Sequence, residues 1–294
     1  MDRHVLDATA VRAAPLDAQI ERLLACPRCR SPLSVQATEI ECTSPTCGFG
    51  GLVAQDVAVM DDRSKISFFD DKHEVMQRGN EGEGVRCLCY DRQEELLAGY
   101  FRPGSVIVDV GCGPALPYQR TPDPFIIGVE PSFDSIRANT GVDLRVYGTA
   151  LALPLPDRSV DTVVCLYSIH HMVGATRRAN LSLVQGALRE FGRVVKPGGE
   201  VLVFEIEPWA PFWLAEKMAW NSARNVLGRK LDMHFWSADV LDRLMLAVWP
   251  HARLRRQNFN APWLSTFPPV FSMPWLKWPR FLYPFSPVLL DWQL

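Results

Sequence analysis

Four of the eight cysteines lie in one short stretch, 26-CPRCRSPLSVQATEIECTSPTCG-48, spaced as Cys26-x2-Cys29 and Cys42-x4-Cys47. Each pair can form a turn whose backbone NH groups face the sulfurs, and the residues between them read as a hairpin that brings the two turns together. Four thiolates complete a tetrahedral shell and leave no open coordination position, the pattern of a structural zinc and not of a catalytic one. A segment this small cannot bury a core of its own, so Zn2+ at Cys26, Cys29, Cys42 and Cys47 would supply much of its folding energy. Cys87, Cys89, Cys112 and Cys165 lack ligand spacing and read as packing residues, with Cys87/Cys89 the one pair close enough to invite a second reading.

A second constellation lies downstream. The run 105-SVIVDV-110 has β-branched residues on both faces, as in a buried parallel strand. It meets 111-GCGPA-115, a tight turn in which Gly111 and Gly113 let the backbone approach a ligand closely, with Pro114 suited to the first turn of a following helix. The next apolar strand, 125-FIIGV-129, ends at Glu130. This outlines a doubly wound nucleotide fold, but a dinucleotide fingerprint wants a third glycine where this chain has Leu116. Asp109 would repel a pyrophosphate and suits a ligand with an amino group, while Glu130 is placed to accept hydrogen bonds from ribose hydroxyls. S-adenosyl-L-methionine (SAM) has an amino group, a ribose and no phosphate, and it fits these residues best.

Taken in order, VIVDVGCGPA, GVEPS, 148-GTALALPLPDRSVDTVVCLYSIHHM-172 and 188-LREFGRVVKPGGEVLVFEIEP-208 resemble the successive motifs of class I SAM-dependent methyltransferases, nearest to those that modify quinones and other small molecules. The resemblance spans residues 100–208. It implies an α/β fold with a doubly wound, Rossmann-like sheet of seven strands, and SAM-dependent methyl transfer as the activity. Asp109, Gly111 and Gly113 would hold the methionine end, Glu130 the ribose, and Ala150 and Leu151 would flank the adenine. Family members usually carry Asp at the position of Thr149, whose hydroxyl can still accept a hydrogen bond but without charge assistance; Asp157 or a backbone carbonyl would then compensate. The cysteine-bearing segment is similar to the zinc ribbon that precedes the catalytic domain in many bacterial methyltransferases, with 56-DVAVM-60 as its closing strand.

Methyl transfer from a sulfonium is an in-line displacement, so alignment and exclusion of water carry most of the catalysis. A base is needed only where the nucleophile bears a proton. The strand 160-VDTVVCLY-167 ends in 168-SIHHM-172, at the edge where His171 or His170 could take that proton. In relatives a histidine pair here also forms part of the cofactor-pocket wall, and both readings stand. No Asn/Asp-Pro-Pro-aromatic tetrapeptide follows that strand, which argues against methylation of exocyclic base amines. Cys165 lies inside the strand, which argues against cysteine-adduct chemistry on pyrimidines.

These elements belong to a chain of 294 residues with 48% hydrophobic residues and a net charge of −2, which excludes a disordered chain or a basic nucleic-acid coat. The N-terminus has no apolar core of the kind a signal peptide needs, so a cytoplasmic, reducing setting is expected, where clustered cysteines hold metal. The sequence divides into an N-terminal extension and four-cysteine zinc ribbon (1–65), linker or lid helices (66–104), a SAM-binding core (105–260) with a substrate insertion at 209–236, and a Trp/Pro-rich cover with the last strand (261–294). Phe68, Phe69 and Tyr90 are lid candidates, since related enzymes close this region over the cofactor.

All nine tryptophans lie at or after Trp209, and residues 209–294 carry ten Lys/Arg against five Asp/Glu. Within that part, 261-APWLSTFPPVFSMPWLKWPRFLYPF-285 has three readings: a rigid cover, the wall of a pocket for a greasy substrate, or a peripheral contact with a membrane surface. The expected acceptor is small and lipophilic, methylated at O or C. Two other functions stay open. Guanine-N1 methyltransferases of ribosomal RNA share the ribbon-first domain order, though residues 1–50 carry five basic and six acidic side chains, a poor footprint for phosphate that makes nucleic acid an unexpected partner. A non-catalytic binding module that keeps the SAM fold is the other.

Overall fold

A computed structural model describes residues 8–61, 88–228, 231–258, 263–264, 278–279 and 285–294. Helices α1 (Ala8–Ala13) and α2 (Leu16–Leu23) lead into a meander of β1 (Leu33–Gln36), β2 (Glu39–Cys42), β3 (Gly50–Ala54) and β4 (Val57–Val59). Helix α3 (Leu88–Ala98) precedes β5 (Val106–Val110), β6 (Phe125–Glu130), α4 (Phe133–Ala138), β7 (Leu144–Tyr147) and β8 (Val160–Leu166). A 3-10 turn at Ile169–His171 is followed by α5 (Arg177–Val194), β9 (Val195–Pro208), α6 (Ala210–Leu227), α7 (Ala238–Val248) and β10 (Arg253–Asn258). A short ladder of β11 (Trp263–Leu264) with β12 (Trp278–Pro279) stands apart from the main sheet, which β13 (Phe285–Gln293) completes.

The main sheet runs β1-β2-β3-β4-β7-β6-β5-β8-β9-β13-β10. From β7 to β10 this is the seven-stranded doubly wound sheet that the sequence implies, with β13 antiparallel to both of its neighbours. The full sheet has eleven strands, because the ribbon is not a separate appendage: β4 pairs in parallel with β7, Val57 opposite Arg145 and Val59 opposite Tyr147. All residues of β5 and β6 are buried, as their β-branched runs on both faces require.

Two local expectations fail for identifiable reasons. No helix follows Gly113: residues 114–124 contain Pro114, Pro117, Pro122 and Pro124, and each proline removes a donor and disfavours helix in the residue before it. Helix α3 fills the place, with Gln93 Nε2 donating to Pro117 O (3.2 Å) and Glu94 accepting from Gln119 N (2.7 Å). Ser237 precedes α7 as expected but its hydroxyl makes no cap; Glu207 Oε1 takes the Ala238 N–H instead (3.0 Å).

The N-terminal helices are tied to the sheet through Asp143. Arg12 Nε donates to its Oδ1 (2.7 Å), Arg120 adds a second ion pair, and Ile126 N–H donates to Oδ2 (2.8 Å). Burial alone would raise this carboxyl's pKa, but the two guanidiniums and the amide together bring it below the ordinary value. At the other side of the sheet β9 enters through a bulge, its pairing with β8 shifting from Val160–Val195 to Thr162–Glu200. There a Cβ on Gly199 would lie 2.4 Å from the main-chain oxygen of Asp161. Gly199→Ala should therefore cost about 1–3 kcal/mol by overpacking, seen as a lower urea midpoint with an unchanged slope.

Candidate cofactor cleft and cysteine clip

Strand addition reverses at β5, with β6 and β7 on one side and β8 and β9 on the other. Ligands in such sheets bind outside the carboxyl ends at this switch point, and a cleft of about 260 Å³ opens there. Gly111, Glu130, Thr149, Ala150, Leu151 and His171 line it, together with Val110, Val129, Pro131, Ser168, Met172, Val173 and Leu183. Asp109, Gly113 and His170, also read from the sequence as site residues, are not among the residues that line it: Asp109 and His170 are buried and Gly113 is half-buried.

The glycine turn is built from both sides. Gly111 has φ +74°, and a Cβ there would lie 2.5 Å from Ser168 Oγ, whose single hydrogen is within reach of both Leu166 O (2.9 Å) and Gly111 O (3.1 Å). Gly113 has φ +63° with open space where its Cβ would be, and its N–H donates to Glu130 Oε2 (3.1 Å). The other Glu130 oxygen accepts from Ser132 N (3.0 Å), so this carboxylate ties the turn after β5 to the end of β6. Asn139 Nδ2 adds a bond to Gly113 O (2.9 Å).

Asp109 is fully buried. Tyr118 Oη donates to its Oδ2 (2.8 Å), while Oδ1 has no hydrogen-bond partner among the described residues. Burial pushes its pKa up to about 7, with the Tyr118 hydroxyl opposing the rise. A buried carboxylate with one oxygen unmatched suits a ligand bearing an amino group, as SAM does.

In the loop that the resemblance assigns to adenine, Thr149 Oγ1 accepts from Leu151 N (3.3 Å) and so shapes that loop. Asp157 does not reach the cleft to stand in for the missing acid: it is engaged with Arg193 Nη1 at 2.8 Å.

The two adjacent histidines go opposite ways. His171 faces the cleft, and its Nδ1 lies 3.4 Å from the main-chain oxygen of Asp232. His170 is buried, its Nδ1 2.8 Å from Glu205 Oε2. Glu205 also accepts from Ile169 N (3.0 Å) and His170 N (3.3 Å), which fixes the whole 3-10 turn. Glu205, Tyr118, Ser168 and Asn139 escaped the sequence reading. Only Glu205 carries a sequence signal, as an acid inside the apolar strand run 201-VLVFEIEP-208.

The four Sγ atoms of Cys26, Cys29, Cys42 and Cys47 lie within 4.8 Å of one another. Cys26–Cys47 measures 3.6 Å and Cys29–Cys42 3.3 Å, close to the sulfur separation of about 3.8 Å that tetrahedral Zn–S bonds of about 2.3 Å demand. Ser44 N–H faces Cys42 Sγ (3.4 Å), and hydrogen bonds from Ser31 lower the Cys29 thiol to about 6. The donor set therefore fits a closed metal site. Cys112 and Cys165 are buried packing residues, as expected. Cys87, Phe68 and Phe69, the side chains of Cys89 and Tyr90, and most of the Trp/Pro-rich segment lie outside the described residues.

Residues 108–203, from within β5 to within β9, match the methyltransferase domain family. The chain carries a class I SAM-dependent methyltransferase domain. It is 34% identical over 124 residues to the 27-O-demethylrifamycin SV methyltransferase of Amycolatopsis mediterranei, covering 37% of this chain and 42% of that protein. It is 34% identical over 102 residues to a tRNA (carboxymethyluridine(34)-5-O)-methyltransferase of Arabidopsis thaliana, covering 34% and 24%. The chain thus spans less than half the length of these curated relatives. Among solved structures, a SAM-dependent methyltransferase of Thermotoga maritima described as a possible histamine N-methyltransferase aligns with 18% identity and a TM-score of 0.44, over 76% of this chain and 96% of that one.

Within this methyltransferase domain Asp109 gives a pH signature. Its folded pKa lies above the ordinary value of 3.8, so the native state binds the extra proton and stability falls as pH rises from about 4 towards 7. Asp109→Asn keeps the Tyr118 bond and should remove that component, on the order of 4 kcal/mol for a carboxyl moved this far. Urea midpoints of both proteins at pH 5 and pH 8, without ligand, read the part lost in that window, about 3 kcal/mol.

Proposed function

We propose that this chain holds SAM in the cleft at the switch point and moves its methyl group to O or C of a small, lipophilic acceptor. The observation that carries this reading is the convergence of Gly111, Glu130, Thr149–Leu151 and His171 on one cleft. Asp109 and the main chain of Gly111 and Gly113 would hold the methionine end, Glu130 the ribose, and Ala150 and Leu151 the adenine. When bound, SAM supplies an electrophilic methyl carbon on a sulfonium. With a proton on Nδ1 directed at Asp232 O, His171 presents Nε2 as the base that takes the acceptor's proton. His170 positions its neighbour through Glu205. Met172, Val173 and Leu183 form an apolar wall that keeps water from the reacting atoms.

The lipophilic acceptor rests on what surrounds that wall. Helix α6 follows β9 and is joined to the start of α5 by the Arg177 N–Asn221 Oδ1 bond (3.0 Å). It leaves Phe212, Leu214, Met218 and Val226 exposed, an apolar face suited to a greasy substrate or a lipid surface. Among the described residues no helix is long and apolar enough to cross a membrane, so contact there would be peripheral. In a cytoplasmic, reducing setting Cys26, Cys29, Cys42 and Cys47 would hold one structural Zn2+, away from the methyl group.

Incubation with methyl-labelled SAM and a cell extract, followed by solvent partition, tests the acceptor: label in the organic phase supports the proposal, and label in RNA overturns it in favour of the relatives named for tRNA. His171→Gln should lower kcat by about 10²-fold while KM for SAM changes less than about two-fold; an unchanged kcat would remove the base role. Metal analysis should find one zinc per chain, lost in the Cys26→Ser/Cys29→Ser double variant.

A further inference from the structure

The cysteine clip and the cofactor cleft meet in one loop. Residues 148–158 carry Thr149, Ala150 and Leu151, and the N-terminal segment holds this loop just before its start and again at its middle. Met60 N–H, just beyond β4, donates to Tyr147 O (2.9 Å), the residue before the loop. Ala25 N–H, the residue before Cys26, donates to Pro154 O (3.0 Å) inside it.

Between Cys29 and Ser31 sits Arg30, in a left-handed conformation (φ 67°), with its N–H donating to Cys26 O (2.8 Å). Its backbone is part of the turn that would wrap the metal, and its guanidinium points at the catalytic domain. Nη2 lies 3.5 Å from Glu190 Oε1 and Nε 3.9 Å from Asp157 Oδ1. The same two carboxylates hold Arg193, at 2.6 Å from Glu190 and 2.8 Å from Asp157. Arg193 in turn donates to Leu153 O (2.9 Å) and Leu155 O (2.8 Å), and Leu153 N–H donates to Glu190 Oε2 (3.0 Å). The second half of the adenine-side loop is thus clamped by a buried Glu190–Arg193 pair whose open side faces the clip.

We propose that Arg30 is a positioning residue for the cofactor cleft. Held by the metal-bound turn, it steadies the Glu190–Arg193–Asp157 cluster, so loss of the metal loosens residues 148–158 and weakens SAM binding at Thr149–Leu151. This rests on the reading that SAM occupies the cleft and zinc the clip, and it gives the clip an effect on the cofactor without a part in the chemistry.

The test uses the full chain and four samples: zinc-loaded wild type, wild type stripped of metal by a chelator, Arg30→Ala and Arg30→Lys. SAM affinity is measured by calorimetry, and hydrogen exchange of the 148–158 peptide is followed without SAM. Exposed ion pairs are weak, so Arg30→Ala should raise the Kd for SAM by about two- to five-fold, keep its zinc, and speed exchange in 148–158 but not in α5. Arg30→Lys should restore part of the affinity. Metal removal should act in the same direction and more strongly, and added zinc should reverse it. Arg30→Ala protein that binds SAM like a wild type that itself binds, with unchanged exchange, would overturn the proposal alone. A zinc-loaded wild type that binds no SAM would overturn the cofactor reading and the proposal with it.

Discussion

The carboxyl ends of β5 and β8 approach so closely that only a residue without a side chain can stand between them. At Gly111 a Cβ would fall 2.5 Å from Ser168 Oγ, and without one that hydroxyl sits between the main-chain oxygens of Leu166 and Gly111. The positive φ of the same residue turns the chain away from β5, so one position meets both a steric and a conformational demand. The cleft walls follow from it: the 168–173 turn on one side, the Glu130-braced glycine turn on the other, and the 149–151 loop across the end. Ordinary helix dipole stabilisation is missing here, because four prolines forbid the helix after Gly113. The carboxylate of Glu130 and the amide of Asn139 hold the turn instead.

The ribbon's place in the sheet gives the cysteine-bearing segment a structural part in the fold. A four-strand meander of this length has little core of its own, yet Leu33, Ile40 and Ala58 are buried in the same apolar cluster as Val108 and Val163 of the main sheet. Parallel pairing of β4 with β7 covers a sheet edge that would otherwise expose unpaired backbone groups. The cysteine-bearing meander thus forms one end of a continuous sheet, with β10 at the other.

The histidine pair shows how little adjacency in sequence says about role. His170 and His171 sit in one 3-10 turn with ring centroids 4.3 Å apart, yet one is sequestered against Glu205 and the other faces the cleft. The deciding element is Glu205, which comes from β9, 35 residues further along the chain. By accepting from the Ile169 and His170 amides of the turn and from one imidazole, it sets the rotation of the turn and with it which ring faces the cleft. Asp109 and Tyr118 form a comparable pair: burial raises the carboxyl's pKa, and a hydroxyl from a proline-rich loop restrains the rise.

Short-range chemistry was legible in the residues alone. Each cysteine pair, the glycine turn after a β-branched strand and the acid at the next strand end sit within a few residues, where backbone geometry leaves few choices, and the order of the methyltransferase motifs follows from such local runs read in sequence. Three other features emerged only with the folded chain: which of the two histidines faces the cleft, that Asp157 serves Arg193 and not the adenine, and that the ribbon extends the sheet to eleven strands. Each of those outcomes depends on a partner distant in sequence: Glu205 for the histidines, Arg193 for Asp157, β7 for β4. Such contacts follow from how buried surfaces and backbone donors are satisfied across the whole sheet, and no local pattern records them.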